Sequence, residues 1–136
     1  MYLLDTNIIS YWMRSDQRLI ERIKSISPGD LSLSAITMAE IYYGIEKSPV
    51  KKMARRAKID MICSQLEIYP FDEPAAAKYG PIRATLEKQG TNISERDLQI
   101  AAIAMANRLC VVTHNTKEFS RIDRLQLEDW AEGNYR

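Results

Sequence analysis

Short apolar runs with the composition of β-strands alternate with longer segments of helical periodicity along the chain. The strand-like runs cover residues 2–4, 31–33, 68–71 and 110–113, and a further short strand is predicted in the tail 125–130. The helix-like segments cover residues 6–14, 16–25, 37–47, 50–66, 74–90 and 98–107, with Pro81 expected to kink or split the fifth. Strands that alternate with helices form a parallel sheet covered on both faces. We therefore predict an α/β fold with a short, mostly parallel central sheet.

The length and composition fit one domain that spans residues 1–136. A chain of 136 residues with 46% hydrophobic side chains has enough apolar material for one core. A net charge of +1 gives no overall indication of a nucleic-acid partner. No apolar run is long enough to span a bilayer, and the N-terminus lacks the basic region of a secretory signal. We therefore predict a cytoplasmic protein with no membrane partner.

Oxygen-bearing side chains stand where the predicted strands end and the neighbouring helices begin. Asp5 ends the first strand, and Glu40 lies in the first turns of the helix after the second. Asp97 opens the Ala-rich helix, and Asn115 and Glu118 follow the strand after it. Because the carboxyl ends of parallel strands meet at one edge of a sheet, these side chains can lie together there.

Such a group of carboxylates indicates a Mg²⁺ or Mn²⁺ site. These cations prefer carboxylate and water oxygens as ligands. One histidine and two separated cysteines leave almost nothing for a zinc site. Carboxylates held together raise one another's pKa, and a divalent cation removes that penalty.

Each acid also has a purely structural interpretation. Asp5 can cap the helix that follows it. The spacing from Thr37 to Glu40 matches a capping box. Asp97 can compensate the helix dipole, and Glu118 can be a solvated surface acid. Only the joint placement of the acids favours a functional site.

Several segments together resemble the PIN-domain ribonucleases, and specifically the VapC toxins of bacterial toxin–antitoxin pairs. The matching segments are residues 3–7 (LLDTN), 34–44 (SAITMAEIYYG), 93–102 (ISERDLQIAA), 112–119 (VTHNTKEF) and 127–130 (LEDW). Each is weak alone, but four motifs in order at this spacing, with that ending, make a specific match over almost the whole chain.

The resemblance implies a fold, an activity and partners. The fold would be a three-layer α/β/α PIN-like domain. The activity would be a Mg²⁺- or Mn²⁺-dependent endoribonuclease that attacks structured RNA, such as tRNA, with a metal-activated water. The partners would be a VapB-like antitoxin and a second copy of the chain in a homodimer.

The resemblance also implies residue roles. Asp5 and Asp97 would bind the metal directly, and Glu40 would complete the acidic catalytic site. Thr113 would support Asp5 through a hydrogen bond from its hydroxyl. Thr6 and Asn7 would not bind the metal but would contact the residues that do.

At Asn115 this chain departs from the family pattern, because many PIN domains carry an acid there. An amide oxygen binds metal weakly and carries no charge. We therefore expect Glu118 to contribute to the acidic site and Asn115 to orient the metal ligands. Arg14 and Arg96 lie close enough in sequence to the acids to contact the substrate.

The basic run 51–58 (KKMARRAK) has two interpretations. It can contact RNA phosphates, or it can be a solvated face opposite an apolar stripe of Val50, Met53, Ala57 and Met61. We favour the solvated face.

Two alternatives to a toxin remain open. One is a PIN nuclease that works in RNA processing. The other is an inactive PIN scaffold that binds RNA or protein, which the amide at Asn115 makes conceivable.

Overall fold

The computed structural model describes residues 1–131. The strands are β1 (Tyr2–Leu4), β2 (Leu31–Ser34), β3 (Glu67–Tyr69), β4 (Cys110–Val112) and β5 (Leu127–Glu128). The helices are α1 (Thr6–Met13), α2 (Gln17–Lys24), α3 (Ala35–Lys47), α4 (Lys52–Gln65), α5 (Glu73–Gln89), α6 (Glu95–Asn107) and α7 (Thr116–Phe119), with a 3₁₀ turn at Pro28–Asp30.

The five strands form one sheet in the order β3-β2-β1-β4-β5, and the strand pairings found among residues 1–131 are parallel. The predicted α/β fold with a parallel central sheet is therefore confirmed. β1 is the central strand, and its Leu3 pairs with Ser32 on one side and Val111 on the other. The residue that leaves β1 consequently emerges in the middle of the carboxyl edge.

Helices cover both faces of this sheet, which makes the three layers. Successive residues of β1 point to opposite faces, as strand geometry requires. Leu4 joins the core formed with α1, α2, α3 and α4, whereas Leu3 joins the core formed with α5, α6 and α7. Within residues 1–131, no helix has the length and apolar character needed to cross a membrane.

Two helices begin earlier than the sequence predicted, because each has a serine cap upstream. Ser34 caps α3 by accepting from the backbone N–H of Thr37 at 3.0 Å. Ser94 caps α6 by accepting from the backbone N–H of Asp97 at 3.2 Å. Helix α5 is continuous through Pro81 and is not split.

The predicted orientation of α4 is wrong. Its supposed apolar stripe faces solvent, with Val50 66%, Met53 87% and Met61 54% exposed. The buried side chains are instead Ile59 and Ile62, together with Leu66 directly after the helix.

Arg55 gives a physical reason for this orientation. Its guanidinium donates to backbone carbonyls at the end of α3 and in the loop after it, those of Gly44, Ile45, Ser48 and Val50. The side chain therefore satisfies carbonyls that the end of a helix leaves without partners. Part of the basic run is thus committed to packing α4 against α3.

Candidate active site at the carboxyl edge of the sheet

Asp5 stands at the centre of the site, directly after β1, and is only 3% exposed. Its Oδ1 accepts from the backbone N–H of Thr6 at 2.7 Å, which caps α1. Its Oδ2 accepts from the Thr113 hydroxyl, also at 2.7 Å. The capping role and a functional role are therefore compatible, because they involve different oxygens.

The environment of Asp5 disfavours its charge. Burial raises its pKa, and the nearby charge of Glu40 raises it further. The hydrogen bonds from Thr113 and Thr6 oppose these effects without cancelling them. A cation beside this carboxylate would stabilise the ionised form.

Thr113 and Asn7 fix the segment that follows β4. The fully buried Thr113 hydroxyl accepts from the backbone N–H of Asn115 at 2.9 Å while it donates to Asp5. Asn7 Oδ1 accepts from the backbone N–H of His114 at 3.2 Å. The His114 ring pairs through Nδ1 with Asp129 Oδ2 at 3.0 Å. These contacts hold α1, the end of β4 and the C-terminal segment in one arrangement.

Glu40 reaches the site from α3, and a line of hydroxyls leads to it. Its Oε1 accepts from the Thr6 hydroxyl at 2.8 Å, and its Oε2 accepts from Arg96 Nη1 at 2.9 Å. The Thr6 hydroxyl lies 3.1 Å from the buried Thr37 hydroxyl, which lies 3.4 Å from that of Ser34. Each hydroxyl can donate to the next, so the line ends as a donor to the carboxylate.

Thr37 supports the acidic site, and the sequence did not predict this role. The capping-box interpretation made it the cap of α3, but that position belongs to Ser34, and Thr37 lies in the first turn. The available signal was Ser34 itself, a second capping residue three positions upstream. Thr37 therefore supports Thr6 and, through it, Glu40.

Asp97 enters from the first turn of α6. Burial, followed by the charge of Asp5, raises its pKa to about 6, and the charges of Glu118 and Glu40 add to the effect. Its Oδ2 accepts from the side-chain amide of Asn115 at 3.3 Å. The carboxylates singled out by the sequence analysis are thus close enough to influence one another.

Asn115 and Glu118 both act on Asp97, one through a hydrogen bond and the other through its charge. The uncharged side-chain amide of Asn115 donates a hydrogen bond to Asp97. Glu118 lies partly buried in α7, and its effect on Asp97 is electrostatic. Both therefore belong to the surroundings of Asp97.

The two arginines lie beside Glu40. Both line an open cleft of about 420 Å³, together with Met13, Ile41, Ile45 and Glu40. Arg14 is exposed, and its Nε donates to the backbone carbonyl of Ser10 at 3.4 Å. Arg96 pairs with Glu40. Both arginines therefore share this cleft with Glu40, and Arg96 contacts it directly.

The chemistry of these donors fits a hard divalent cation, although residues 1–131 contain no group of three acidic, histidine or cysteine side chains already placed to hold one. Mg²⁺ is commonly bound through one or two carboxylates and retains several waters. Asp5 and Asp97 can supply that pair, and their pKa values are raised first by burial and then by the neighbouring acidic charges, both of which a bound cation would offset.

We expect Thr113→Val to weaken both the fold and the site. The change leaves buried Asp5 Oδ2 without its donor and the Asn115 N–H without its acceptor. An unsatisfied buried polar group costs roughly 1–3 kcal/mol, so the free energy of unfolding should fall by about that amount. Urea unfolding measures this, with Thr113→Ser as the matched control because it retains the hydroxyl. Equal losses in the two variants would contradict a role for the hydroxyl.

Comparisons with known proteins identify the family that the chain and its fold resemble. A family model described as PIN domain matches residues 2–125. The chain is 39% identical to "Ribonuclease VapC2" of Haemophilus influenzae and 33% identical to "tRNA(fMet)-specific endonuclease VapC" of Shigella flexneri, and each alignment covers 96% of this chain and 98% of the relative. A solved structure of VapBC2 from Rickettsia felis, bound to a DNA fragment from its promoter, superposes with a TM-score of 0.89 at 37% identity, over 95% of this chain and 98% of that one.

Proposed function

The chain belongs to the PIN-domain family of VapC ribonucleases, and from that membership we propose that it is an endoribonuclease that requires Mg²⁺ or Mn²⁺ and cuts structured RNA as the toxin of a toxin–antitoxin pair. One observation carries the proposal. Asp5, Glu40 and Asp97 come from three different elements and converge at the carboxyl edge, where their charges act on one another.

Asp5 and Asp97 would hold the metal ion, with Glu40 completing the catalytic acids. A bound cation supplies Lewis acidity, which lowers the pKa of a water and stabilises negative charge on the phosphate. Thr113 and the start of α1 hold Asp5 in place, and Asn115 holds Asp97.

The remaining residues support these acids or contact the RNA. Thr6 orients Glu40, and Asn7 fixes the segment after β4. Glu118 adds negative charge beside Asp97. Arg14 and Arg96 bind phosphates of the substrate, for which a guanidinium has a suitable forked geometry.

A tRNA is the substrate we propose, because the Shigella flexneri relative is named as a tRNA(fMet)-specific endonuclease. A VapB-like antitoxin is the proposed protein partner, because three solved relatives of 35–37% identity are VapBC complexes. Met13 lines the cleft that also contains Glu40, and we propose it as an apolar contact for the antitoxin. The homodimer, the cytoplasmic location and the single domain over residues 1–136 stay predictions.

Cleavage of total RNA and purified tRNA by the antitoxin-free protein tests the proposal. We expect discrete fragments in Mg²⁺ or Mn²⁺ and none in EDTA. RNA binding without cleavage in either metal would instead support the inactive scaffold. Fragments that persist in EDTA would contradict the metal requirement. Cleavage that is unaffected by the antitoxin encoded beside this chain, or the lack of such an antitoxin, would favour a nuclease of RNA processing.

A further inference from the structure

Both oxygens of the Glu40 carboxylate accept hydrogen bonds from side chains of this chain. One donor is fixed by a buried neighbour, and the other is exposed to solvent. Thr6 donates to Oε1 and is backed by the buried Thr37 hydroxyl. Arg96 donates to Oε2, but its side chain is 63% exposed, against 21% for Glu40. An exposed ion pair contributes little to stability, so Arg96 is the partner that can leave.

This ion pair has a consequence for the acidic site. While Arg96 neutralises Glu40, that carboxylate is not free to join Asp5 and Asp97 around a cation. A guanidinium and a divalent cation cannot both approach the same carboxylate oxygen without strong repulsion. Arg96 also adjoins Asp97 at the start of α6, so its side chain can turn from Glu40 towards a phosphate bound near the acids.

We propose that Arg96 is the resident counterion of Glu40, and that an RNA phosphate takes over the guanidinium and frees Glu40 for the cation. The inference rests on the proposed function and deepens it, since it assigns Arg96 as a positioning residue that couples two ligands. Carboxylate and phosphate both accept two parallel hydrogen bonds from arginine, so the exchange preserves the bonding pattern. By linkage, RNA and cation must then strengthen each other's binding equally.

Mn²⁺ binding without RNA tests the exchange, and it requires no catalysis. The electron paramagnetic resonance signal of free Mn²⁺ is titrated with wild type, Arg96→Gln, Glu40→Gln and the double variant. We expect Arg96→Gln to bind Mn²⁺ roughly three- to tenfold more tightly than wild type, whereas Arg96→Lys, which keeps the charge, stays closer to wild type. In the Glu40→Gln background, Arg96→Gln should have no effect, because no carboxylate remains for the guanidinium to occupy.

Arg83→Gln is the matched control. Arg83 is an exposed arginine on α5, and its Nη1 lies 3.9 Å from Oε2 of Glu95. Glu95 lies in the first turn of α6, as Arg96 does. Its removal deletes an equal charge nearby without touching Glu40, so Mn²⁺ affinity should change little. Thermal unfolding of each variant verifies that all are folded.

The outcomes separate this inference from the proposed function. Unchanged or weaker Mn²⁺ binding in Arg96→Gln overturns the inference and leaves a metal-dependent nuclease standing. Tightening that persists in the Glu40→Gln background also overturns it, because Arg96 would then act on the whole cluster. Mn²⁺ binding in no variant contradicts both.

RNA binding in EDTA tests the second half of the exchange. Fluorescence anisotropy with a short single-stranded RNA should show affinity at least threefold lower for Arg96→Gln and nearly unchanged for Arg83→Gln. Equal losses of RNA affinity in the two variants would show that Arg96 acts only as a general surface charge. That result would overturn the proposal that its guanidinium moves to an RNA phosphate.

Discussion

Asp5→Asn is expected to abolish metal-dependent RNA cleavage, with a fall of roughly 10²- to 10⁴-fold. Asparagine keeps the size of the side chain and is an equally good helix cap, so α1 should be preserved. The charge that would hold a cation is lost. Because burial raises the pKa of Asp5, its carboxylate disfavours folding in the absence of a cation. The amide removes that penalty but presents an N–H group to the Thr113 hydroxyl in place of Oδ2, so thermal unfolding in EDTA verifies that the variant is folded.

Asp72→Asn is the matched control for this experiment. Asp72 caps α5 through a hydrogen bond from the Ala75 N–H at 3.2 Å, so the change also replaces a capping carboxylate by an amide. It should cleave RNA like wild type. Cleavage by Asp5→Asn within about threefold of wild type would reduce Asp5 to a capping residue.

Mild acid is expected to stabilise the metal-free protein and to weaken its cation binding. The pKa of Asp97 is about 6 when folded, against an ordinary value of 3.8, so the folded chain binds more protons between these values. The free energy of unfolding therefore falls as pH rises through this window. Because Asp97 is partly exposed, solvent screening reduces the gain from pH 7 to pH 5 to about 1 kcal/mol. The raised pKa of Asp5 acts in the same direction.

A proton on Asp97 also competes with the cation. Below pH 6, the affinity for Mn²⁺ should fall by about tenfold per pH unit, and cleavage at limiting Mn²⁺ should fall with it. Urea unfolding in EDTA at pH 5 and pH 7, together with Mn²⁺ titrations at both values, measures the two effects. In Asp97→Asn the pH dependence should be smaller. An identical dependence in the variant and in wild type would remove Asp97 from the acidic cluster.

The sequence predicted the elements well where local chemistry dominates. The apolar runs at β1, β2 and β4 and the helical periodicity of α1 and α2 appear close to their expected positions. Helix starts were less accurate, because two nearby polar residues can each serve as a cap. Ser34 competes with Thr37 for that role, and only packing of the buried Thr37 hydroxyl against Thr6 shows which residue caps α3.

The orientation of α4 shows a different limit. Periodicity identified one apolar stripe, but Ile59 and Ile62 lie on another, and that second stripe is the buried one. The choice depends on Arg55, which donates hydrogen bonds to carbonyls at the end of α3 and in the loop after it. These bonds form only when α4 packs against α3. A pattern within one helix cannot contain that information.

The order of strands and helices along the chain was enough to predict which acids could meet, because Asp5, Glu40 and Asp97 lie at or within two turns of helix starts that a parallel sheet brings to one edge. The family resemblance anticipated the bond from Thr113 to Asp5, whereas the pairing of Arg96 with Glu40 became visible in the folded chain alone. The bonds from Thr113 to Asp5, from Arg96 to Glu40 and from Asn115 to Asp97 join residues far apart in the chain. Hydrogen bonds and pKa shifts depend on distances of a few ångströms and on burial, and both are set by how the helices pack on the sheet.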